Sequence, residues 1–258
     1  MKITPLRAFD DNYIWMLRNS GSPLAVAVDP GDETPVLTWL KQERAILSAI
    51  LITHHHYDHV GGIPELCEAY PGIPVFGPAK ESIRGVTNPL QEGDTPVIPG
   101  LDTVFQVLDV PGHTAGHIAY LGDGALFCGD TLFAAGCGRV FDGTLDQLSG
   151  SLQRITHLPT ETQIYCAHEY TLDNLGFARW VEPDSLLLEQ RIEREGCKRK
   201  SGLPTVPSRL DIELQTNPFL RTQTPCVIAA AEKVAGHSLN SPDEVFRVLR
   251  SWKDNKYD

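Results

Sequence analysis

The stretch THHHYDH, residues 53–59, follows directly on a strongly apolar run, ILSAILIT (46–53). Its pattern H-x-H-x-D-H supplies four metal-binding side chains within six residues: His54, His56, Asp58 and His59. Imidazole and carboxylate groups resist burial without partners, so the cluster is not a core feature. In a loop at the end of a strand, the two alternating histidines can face one cation while the last two side chains face a second. The alternative is a solvated polar loop, which the ligand-like spacing disfavours.

Three more candidate ligands follow apolar runs elsewhere in the chain. His113 comes after VFQVLDV (104–110), Asp130 ends ALFCGD (125–130) and His168 ends QIYCAH (163–168). Because α/β sheets place their sites at the carboxyl ends of strands, side chains at these positions can meet. A single histidine after a strand is more often a structural group. Here three further candidate ligands each follow an apolar run, as residues 53–59 do. Together the four stretches predict a metal site instead.

The first two thirds of the chain combine strand and helix signals. LAVAVD (24–29) and the four apolar runs above are typical of strands. Thr34 is the expected cap of a helix with Pro35 in its first turn. A second helix is predicted by apolar residues at helical spacing, Leu145, Leu148, Leu152 and Ile155. This mixture predicts an α/β layered domain over about residues 1–165.

After His168 helical signals replace strand signals. Residues 185–200 (SLLLEQRIEREGCKRK) and 224–236 are typical of helices. A capping box, Ser241 to Glu244 with Pro242 at the first helical position, opens a last helix that carries Val245, Phe246, Leu249 and Trp252. A helical subdomain is therefore predicted over residues 169–258. Within it, the charged run 193–200 is expected to be a solvated helix end and exit loop.

Composition excludes several classes of partner. The chain has 258 residues, 41% of them hydrophobic, enough for a sizeable core. Its net charge of −11 repels phosphate backbones and anionic lipid, so neither nucleic acid nor a membrane is an expected partner. The N-terminal residues lack the apolar stretch of a secretory signal, and the six cysteines show no disulfide rhythm. We therefore expect a cytoplasmic protein, and nothing in the sequence demands more than a monomer.

The order H-x-H-x-D-H, His113, Asp130 and His168 resembles that of the metallo-β-lactamase superfamily over most of residues 1–170. The resemblance implies an α/β fold, the αββα sandwich, with a metal-binding catalytic domain at residues 1–168. It implies two divalent metal ions at one edge of the sheets. The implied ligands are His54, His56 and His113 for one ion, Asp58, His59 and His168 for the other, and Asp130 as a bridge. Zinc is the expected metal, with iron or manganese as alternatives.

Such a pair of ions would supply the nucleophile. Two cations about 3.5–4 Å apart can share a water and lower its pKa toward neutrality, which yields a metal-bridging hydroxide. No serine or cysteine nucleophile is then required, and a metal can polarise the substrate carbonyl. Asp58 is a candidate to orient the hydroxide, and the expected catalytic residues are His54, Asp58, His59 and Asp130. The motif alone leaves open whether an acyl or a phosphoryl bond is hydrolysed.

Four further stretches resemble the glyoxalase II branch, the hydroxyacylglutathione hydrolases. They are GDTLFAAGCGRVFDGT (129–144), AHEYTLDN (167–174), NPFLR (217–221) and LRSWKDNKYD (249–258). The resemblance implies hydrolysis of S-D-lactoylglutathione to D-lactate and glutathione, the second step of methylglyoxal detoxification. A thioester suits the site, because thiolate leaves without a general acid.

The same resemblance implies substrate-binding residues, to which the helical subdomain contributes: Arg139, Phe141, Tyr170, Arg250 and Lys253. Glutathione carries two carboxylates and the protein is acidic overall, so a local basic pocket is needed. Phe141 stands where relatives often have tyrosine. This chain therefore lacks a side-chain hydroxyl at that position, but a main-chain contact to the substrate remains an alternative. Arg139 stands where some relatives have lysine, which changes the geometry. The alternative for Arg250 and Lys253 is a solvated basic face near a helix C-terminus.

The remaining polar residues have simpler expected roles. His55 should point away from the metals, His117 should support the site, and His157 and His237 should lie on the surface. Asp29 either accepts a hydrogen bond from a ligand histidine or is a plain turn residue. The rival functions are another metallo-β-lactamase-fold hydrolase, a persulfide dioxygenase with a single iron, and a catalytically silent binding module. The complete ligand set disfavours the last two.

Overall fold

The architecture is built from short strands and longer helices. The computed structural model describes residues 1–257. Its strands are β1 Lys2–Ala8, β2 Asn12–Arg18, β3 Leu24–Val28, β4 Ile46–Leu51, β5 Val75–Pro78, β6 Asn88–Leu90, β7 Gln106–Asp109, β8 Ile118–Gly122, β9 Ala125–Gly129, β10 Leu132–Phe133, β11 Gly136–Cys137, β12 Gln163–Cys166 and β13 Ser208–Arg209.

The helices are α1 Glu33–Glu43, α2 Tyr57–Val60, α3 Ile63–Ala69, α4 Leu145–Thr156, α5 Thr171–Val181, α6 Leu186–Lys200, α7 Leu210–Thr216, α8 Pro225–Ala235 and α9 Pro242–Trp252. A 3₁₀ turn spans Pro218–Leu220, and a π-helical turn, Lys253–Tyr257, follows α9. Among the described residues no helix is both long and apolar enough to cross a membrane.

Two sheets face each other across the main core. The first has the order β1-β2-β3-β4-β5-β6 and the second β13-β12-β9-β8-β7, while β10 and β11 form a separate hairpin. Successive strand residues point to opposite faces, and β2 shows the consequence. Its Tyr13 and Trp15 belong to the core shared with the second sheet, whereas Ile14 and Met16 belong to the core on the other face.

Helices cover both outer faces of the sheet pair. Val36 and Leu40 of α1 and Leu66 of α3 pack with the outer face of the first sheet. Leu148 of α4 and Phe177 of α5 pack with the second sheet. The predicted αββα sandwich is confirmed, and a helical part follows it.

The predicted strands are confirmed, but they end earlier than the apolar runs do. β4 ends at Leu51, β9 at Gly129 and β12 at Cys166. The polar residues that close each run therefore lie in loops beyond the strands. The six cysteines are free thiols, as their spacing predicted.

The predicted cap of the first helix is wrong. Asp32, in an extended conformation, is the N-cap, and its carboxylate accepts a hydrogen bond from the amide of Thr34 at 2.8 Å. A carboxylate two residues ahead of that amide makes a better cap than the Thr34 hydroxyl, because its charge also favours the helix N-terminus. Thr34 accordingly lies inside α1.

Two predictions about helix ends also need correction. No exit loop begins within residues 193–200, because α6 continues to Lys200 and buries Glu195 against the protein. Ser241 caps α9 as predicted, through a 3.2 Å bond from the amide of Glu244. The Glu244 carboxylate does not complete the box, since it accepts from the amide of Asn240 at 2.7 Å.

The helical part of the chain also contributes a strand. In β13, Ser208 and Arg209 pair antiparallel with Ile164 and Gln163 of β12. The amide of Leu210 continues this contact by donating to the carbonyl of Thr162 at 2.9 Å. Residues after 168 thus extend the second sheet, a feature that a two-residue strand cannot reveal by periodicity.

Candidate metal centre

The predicted ligands converge at one edge of the sandwich, where β4, β9 and β12 end. After β4 the chain runs through residues 53–56 and then forms α2, which carries Asp58 and His59. The turn before α1 packs closely on α2. A Cβ atom on Gly31 would overlap the carbonyl oxygen of Asp58, so only glycine fits there.

The seven predicted ligands form three overlapping groups. Within each group, the candidate ligand atoms lie within 4.8 Å of one another. The groups are His54, His56 and His113; His54, His59 and Asp130; and Asp58, His59 and His168. Oδ2 of Asp130 lies 3.5 Å from Nε2 of His113 and 3.3 Å from Nε2 of His168. The Asp130 carboxylate therefore lies between the two outer groups.

The donor set fits a divalent metal ion. Nε2 of His54 is buried and has no hydrogen-bond partner among the described residues, and Nε2 of His59 and Oδ1 of Asp130 are buried with a long contact of 3.5 Å to each other. Buried polar atoms without partners are costly, so several of them converging on one point indicate a ligand that satisfies them. Imidazole nitrogen and carboxylate oxygen are donors that zinc, iron and manganese accept.

One half of the centre is held neutral. Burial keeps the pKa of His54 and His113 below the usual range. Burial, with a contribution from His113, lowers the pKa of His56 to about 4. Neutral imidazoles retain the lone pair that a metal ion requires. These three histidines are therefore ready for a cation at neutral pH.

In the other half of the centre, the pKa values of two histidines are raised, so these histidines bind protons. Burial alone would lower the pKa of His168, but the Asp130 carboxylate and a hydrogen bond to Asp11 raise it to about 9. Burial likewise opposes the charge on His59, yet Asp130 and Asp29 raise its pKa. Burial would raise the pKa of Asp130, but His168 and His59 hold it well below its usual range. Protons on these histidines thus balance the Asp130 charge.

Asp29 contacts a ligand histidine, which was one of its two expected roles, and is not merely a turn residue. Its Oδ2 lies 3.1 Å from Nδ1 of His59. Its two oxygens also accept hydrogen bonds from the amide and the hydroxyl of Thr53, at 2.8 and 2.7 Å. One buried carboxylate therefore links the start of the motif to its last residue.

The other histidines lie where the sequence predicted. His117 is fully buried, with Nδ1 bonded to the carbonyl of Ile118 at 3.0 Å and Nε2 accepting from the amide of Asp130 at 3.2 Å. His55 turns away from the cluster and contacts Glu81 at 3.0 Å. His157 and His237 are exposed.

Asp11, in the turn after β1, and Asn12, the first residue of β2, also reach the centre, and the sequence analysis missed both. Oδ1 of Asp11 lies 2.7 Å from Nδ1 of His168. The side-chain amide of Asn12 donates to Oδ2 of Asp58 at 2.8 Å. Adjacent polar residues at the start of the apolar strand β2 were the available signal, but the fold is needed to bring them to the site.

A cleft of about 520 Å³ opens from the centre and contains all five predicted substrate-binding residues. Its lining includes five of the predicted ligands, His56, Asp58, His113, Asp130 and His168. It also includes Cys137, Arg139, Tyr170, Asp173, Asn174, Arg250 and Lys253. A cluster of carboxylate and imidazole groups thus shares one cleft with three cationic side chains.

The interpretation of Arg250 and Lys253 as a solvated face is wrong. Their exposed fractions are 1% and 5%. The Arg250 guanidinium donates to the carbonyl of Cys137 at 3.0 Å and to Asp254 at 2.8 Å. Nζ of Lys253 donates to Asp173 at 3.1 Å. Buried cations held by such contacts face the cleft in fixed positions.

Three aromatic and basic residues connect the cleft to the centre. The carbonyl of Arg139 lies 2.8 Å from Nδ1 of His113, so its main chain supports a ligand while its side chain lines the cleft. The Phe141 ring stands edge-on to His56 and His113, with centroids 4.9 and 5.1 Å apart. Its amide, which the sequence left open for the substrate, already donates to the carbonyl of His113 at 3.0 Å. The Tyr170 ring stacks on His168 at 4.7 Å.

Comparison with known proteins agrees with this fold. Residues 20–168 match the family model of the metallo-beta-lactamase superfamily, and residues 169–256 match that of the hydroxyacylglutathione hydrolase C-terminus. Among solved structures, ETHE1 from Myxococcus xanthus covers 100% of this chain and 93% of its own, with a TM-score of 0.69 and 23% identity. TTHA1623, solved in a di-iron-bound form, covers 65% of this chain and 92% of its own, with a TM-score of 0.53 and 29% identity. The fold and the His/Asp cluster define a metallo-β-lactamase-superfamily hydrolase.

Full-length relatives narrow the family further. The hydroxyacylglutathione hydrolase of Nitrosomonas europaea is 54% identical over 258 residues, covering 99% of this chain and 96% of its own. That of Alkalilimnicola ehrlichii is 54% identical over 253 residues, covering 98% of both chains. The chain belongs to the hydroxyacylglutathione hydrolase family.

Proposed function

We propose that this protein hydrolyses S-D-lactoylglutathione to D-lactate and glutathione, with two divalent metal ions at the centre. The observation that carries the proposal is the single cleft joining the ligand cluster to Arg139, Arg250 and Lys253. A glutathione thioester needs both the ligand cluster and the cationic side chains, because its reacting carbonyl lies beside a peptide that bears two carboxylates. The names of the full-length relatives support the same substrate class.

His54, His56 and His113 would hold one ion, Asp58, His59 and His168 the other, and Asp130 would contact both. Zinc is the proposed metal, with iron or manganese as alternatives. Two bound ions would lower the pKa of a shared water and polarise the thioester carbonyl. The buried Nε2 atoms of His54 and His59, which make no hydrogen bond, and the position of Asp130 support this arrangement.

The chain's own side chains would bind and orient the substrate. Arg139, Arg250 and Lys253 offer donors to the peptide carboxylates, and Tyr170 adds a hydroxyl beside His168. Phe141 offers a ring rather than a hydroxyl, and 66% of its side chain is exposed. The Phe141 ring would contact an apolar part of the substrate. Asp58, whose carboxylate accepts a hydrogen bond from Asn12, would orient the attacking water.

The cysteine that lines the cleft is not suited to be the nucleophile. Burial raises the pKa of the Cys137 thiol to about 11, even though Arg250 lies beside it. Such a thiol stays protonated at neutral pH, and the thiolate is the reactive form. This supports attack by water rather than through a covalent enzyme intermediate.

The two parts of the chain would have different roles. Residues 1–168 would form the metal-binding catalytic domain, and residues 169–258 would supply Tyr170, Arg250 and Lys253 for glutathione. We further propose a cytoplasmic monomer that binds neither nucleic acid nor membrane, because the net charge of −11 disfavours both.

Product analysis tests the proposed reaction. The purified protein is incubated with S-D-lactoylglutathione, and released thiol and D-lactate are quantified separately. We expect the two products in equal amounts, with D-lactate as free acid. Thiol release without matching D-lactate would contradict hydrolysis and indicate acyl transfer instead.

A further inference from the structure

The β1–β2 turn, defined as residues 9–12 and thus including the first residue of β2, contacts one half of the metal centre. Asp11 binds Nδ1 of His168 at 2.7 Å, and Asn12 binds Oδ2 of Asp58 at 2.8 Å. Both partners belong to the group formed by Asp58, His59 and His168. Neither Asp11 nor Asn12 belongs to any of the three groups of candidate ligands.

The turn is fastened on both sides of His168. The amide of Tyr13 donates to the carbonyl of Ala167 at 2.6 Å, and the amide of Glu169 donates to the carbonyl of Asp11 at 2.9 Å. Asn12 is itself only 7% exposed. Because main-chain bonds fix the turn, the two side chains present their polar atoms in defined positions.

Each side chain restrains one ligand. With its Nδ1–H donated to Asp11, a neutral His168 would direct its lone pair from Nε2, which lies 3.4 Å from Asp58 and 3.3 Å from Asp130. The Asp58 side chain is 38% exposed and could otherwise adopt other rotamers. The Asn12 amide cannot ionise, so it orients this carboxylate without adding charge.

The other half of the centre is supported from elsewhere. His113 Nδ1 contacts the carbonyl of Arg139 at 2.8 Å, and His54 Nδ1 contacts the hydroxyl of Thr53 at 3.1 Å. Neither support involves the turn. Loss of a turn side chain should therefore disturb one metal position and spare the other.

We propose that Asp11 and Asn12 are positioning residues that control occupancy of the metal position formed by Asp58, His59 and His168. Loss of either would turn a two-metal centre into a one-metal centre while leaving the position formed by His54, His56 and His113 intact. This inference rests on the two-metal centre proposed above.

Zinc titration of the metal-free full-length protein against a chromophoric chelator tests the proposal. In Asp11→Ala and in Asn12→Ala we expect the first zinc to bind as in the wild type and the second about 10–100-fold more weakly, the usual effect of removing a residue that orients a ligand. Asp11→Asn should lose less than Asp11→Ala, because its amide oxygen still accepts from His168. Asp10→Ala, an exposed neighbour on the same turn, is the matched control and should bind both ions normally.

Each other outcome has a defined meaning. Two normal binding steps in both alanine variants would overturn the role of the turn. Equal weakening of both steps would also overturn it, because that is the result of general structural damage. Binding of fewer than two zinc ions by the wild type would instead overturn the two-metal centre itself.

Discussion

Oδ2 of Asp130 lies 3.3 Å from Nε2 of His168, and the same oxygen lies 3.5 Å from His113 on the other side of the centre. Asp130 is therefore shared by the two halves, whereas His56 belongs to one. We expect Asp130→Ala to abolish hydrolysis and to lower the affinity for both ions. His56→Ala should abolish hydrolysis and lower bound metal at one position. Metal content and turnover are measured on the same samples.

The exposed residue Asp184 provides the control for these variants, and Asp184→Ala should keep full activity and metal. Full activity together with full metal content in Asp130→Ala or His56→Ala would show that the cluster is not the active site.

Loss of Lys253 should weaken substrate binding more than it slows the reaction. Lys253 lines the cleft and is 5% exposed, and its ammonium donates to Asp173 at 3.1 Å. A contact remote from the reacting carbonyl contributes equally to substrate and transition state, so Lys253→Ala should raise KM with kcat less affected. Steady-state kinetics with S-D-lactoylglutathione measure both. Lys233→Ala on the exposed side of α8 is the control, and an unchanged KM in Lys253→Ala would remove this lysine from the binding site.

Metal binding should release protons at neutral pH. The Asp130 carboxylate and the bond to Asp11 outweigh burial and raise the pKa of His168 to about 9, so its imidazole is protonated well below that pH. A ligand histidine must be neutral, so an incoming zinc displaces this proton. Because the group's pKa is raised, the release is full below about 9 and disappears above it.

Calorimetric titration of zinc in two buffers of different ionisation enthalpy counts these protons. Equal heats in the two buffers at neutral pH would mean that no proton is released, and would contradict the placement of His168 at a metal position.

Asn217 should matter for stability, because it holds the hairpin of β10 and β11 that lies between Asp130 and Arg139. Its buried side-chain amide donates to the carbonyls of Gly136 and Phe133 at 3.0 and 3.3 Å. Asn217→Ala leaves these buried carbonyls without that donor, at a cost of about 1–3 kcal/mol in the free energy of unfolding. Denaturant unfolding of the metal-loaded protein measures the change.

Asn255→Ala, on the surface of the last turn, is the control and should change the unfolding free energy by no more than about 0.5 kcal/mol. A similarly small effect of Asn217→Ala would show that the hairpin does not depend on this contact.

The sequence predicted the centre well because each candidate ligand follows its own apolar run. Apolar periodicity locates the strands, and the polar residue after each strand then falls at one edge of the sheet. His54, Asp130 and His168 were found in this way, and the structure brings them together. The family resemblance supplied Arg250 and Lys253 as substrate-binding residues, whereas their position near a helix C-terminus alone left a solvated basic face as the alternative.

What could not be predicted depends on contacts between distant segments. Asp11 reaches His168 across 157 positions of sequence, and no local pattern marks such a pair. α6 reaches Lys200 and buries Glu195, although charge alone suggested a solvated helix end and an exit loop within residues 193–200. β13 joins the second sheet with only two residues, too few for an alternating pattern.

The most direct measurement compares hydrolysis of three substrates by one preparation whose metal content is counted: S-D-lactoylglutathione, an acyl-coenzyme A and a β-lactam. The account predicts rapid turnover of the glutathione thioester alone, with close to two metal ions per chain. Two metals without glutathione thioester hydrolysis would keep the centre but contradict the proposed substrate, and would redirect attention to the cleft around Arg139, Arg250 and Lys253.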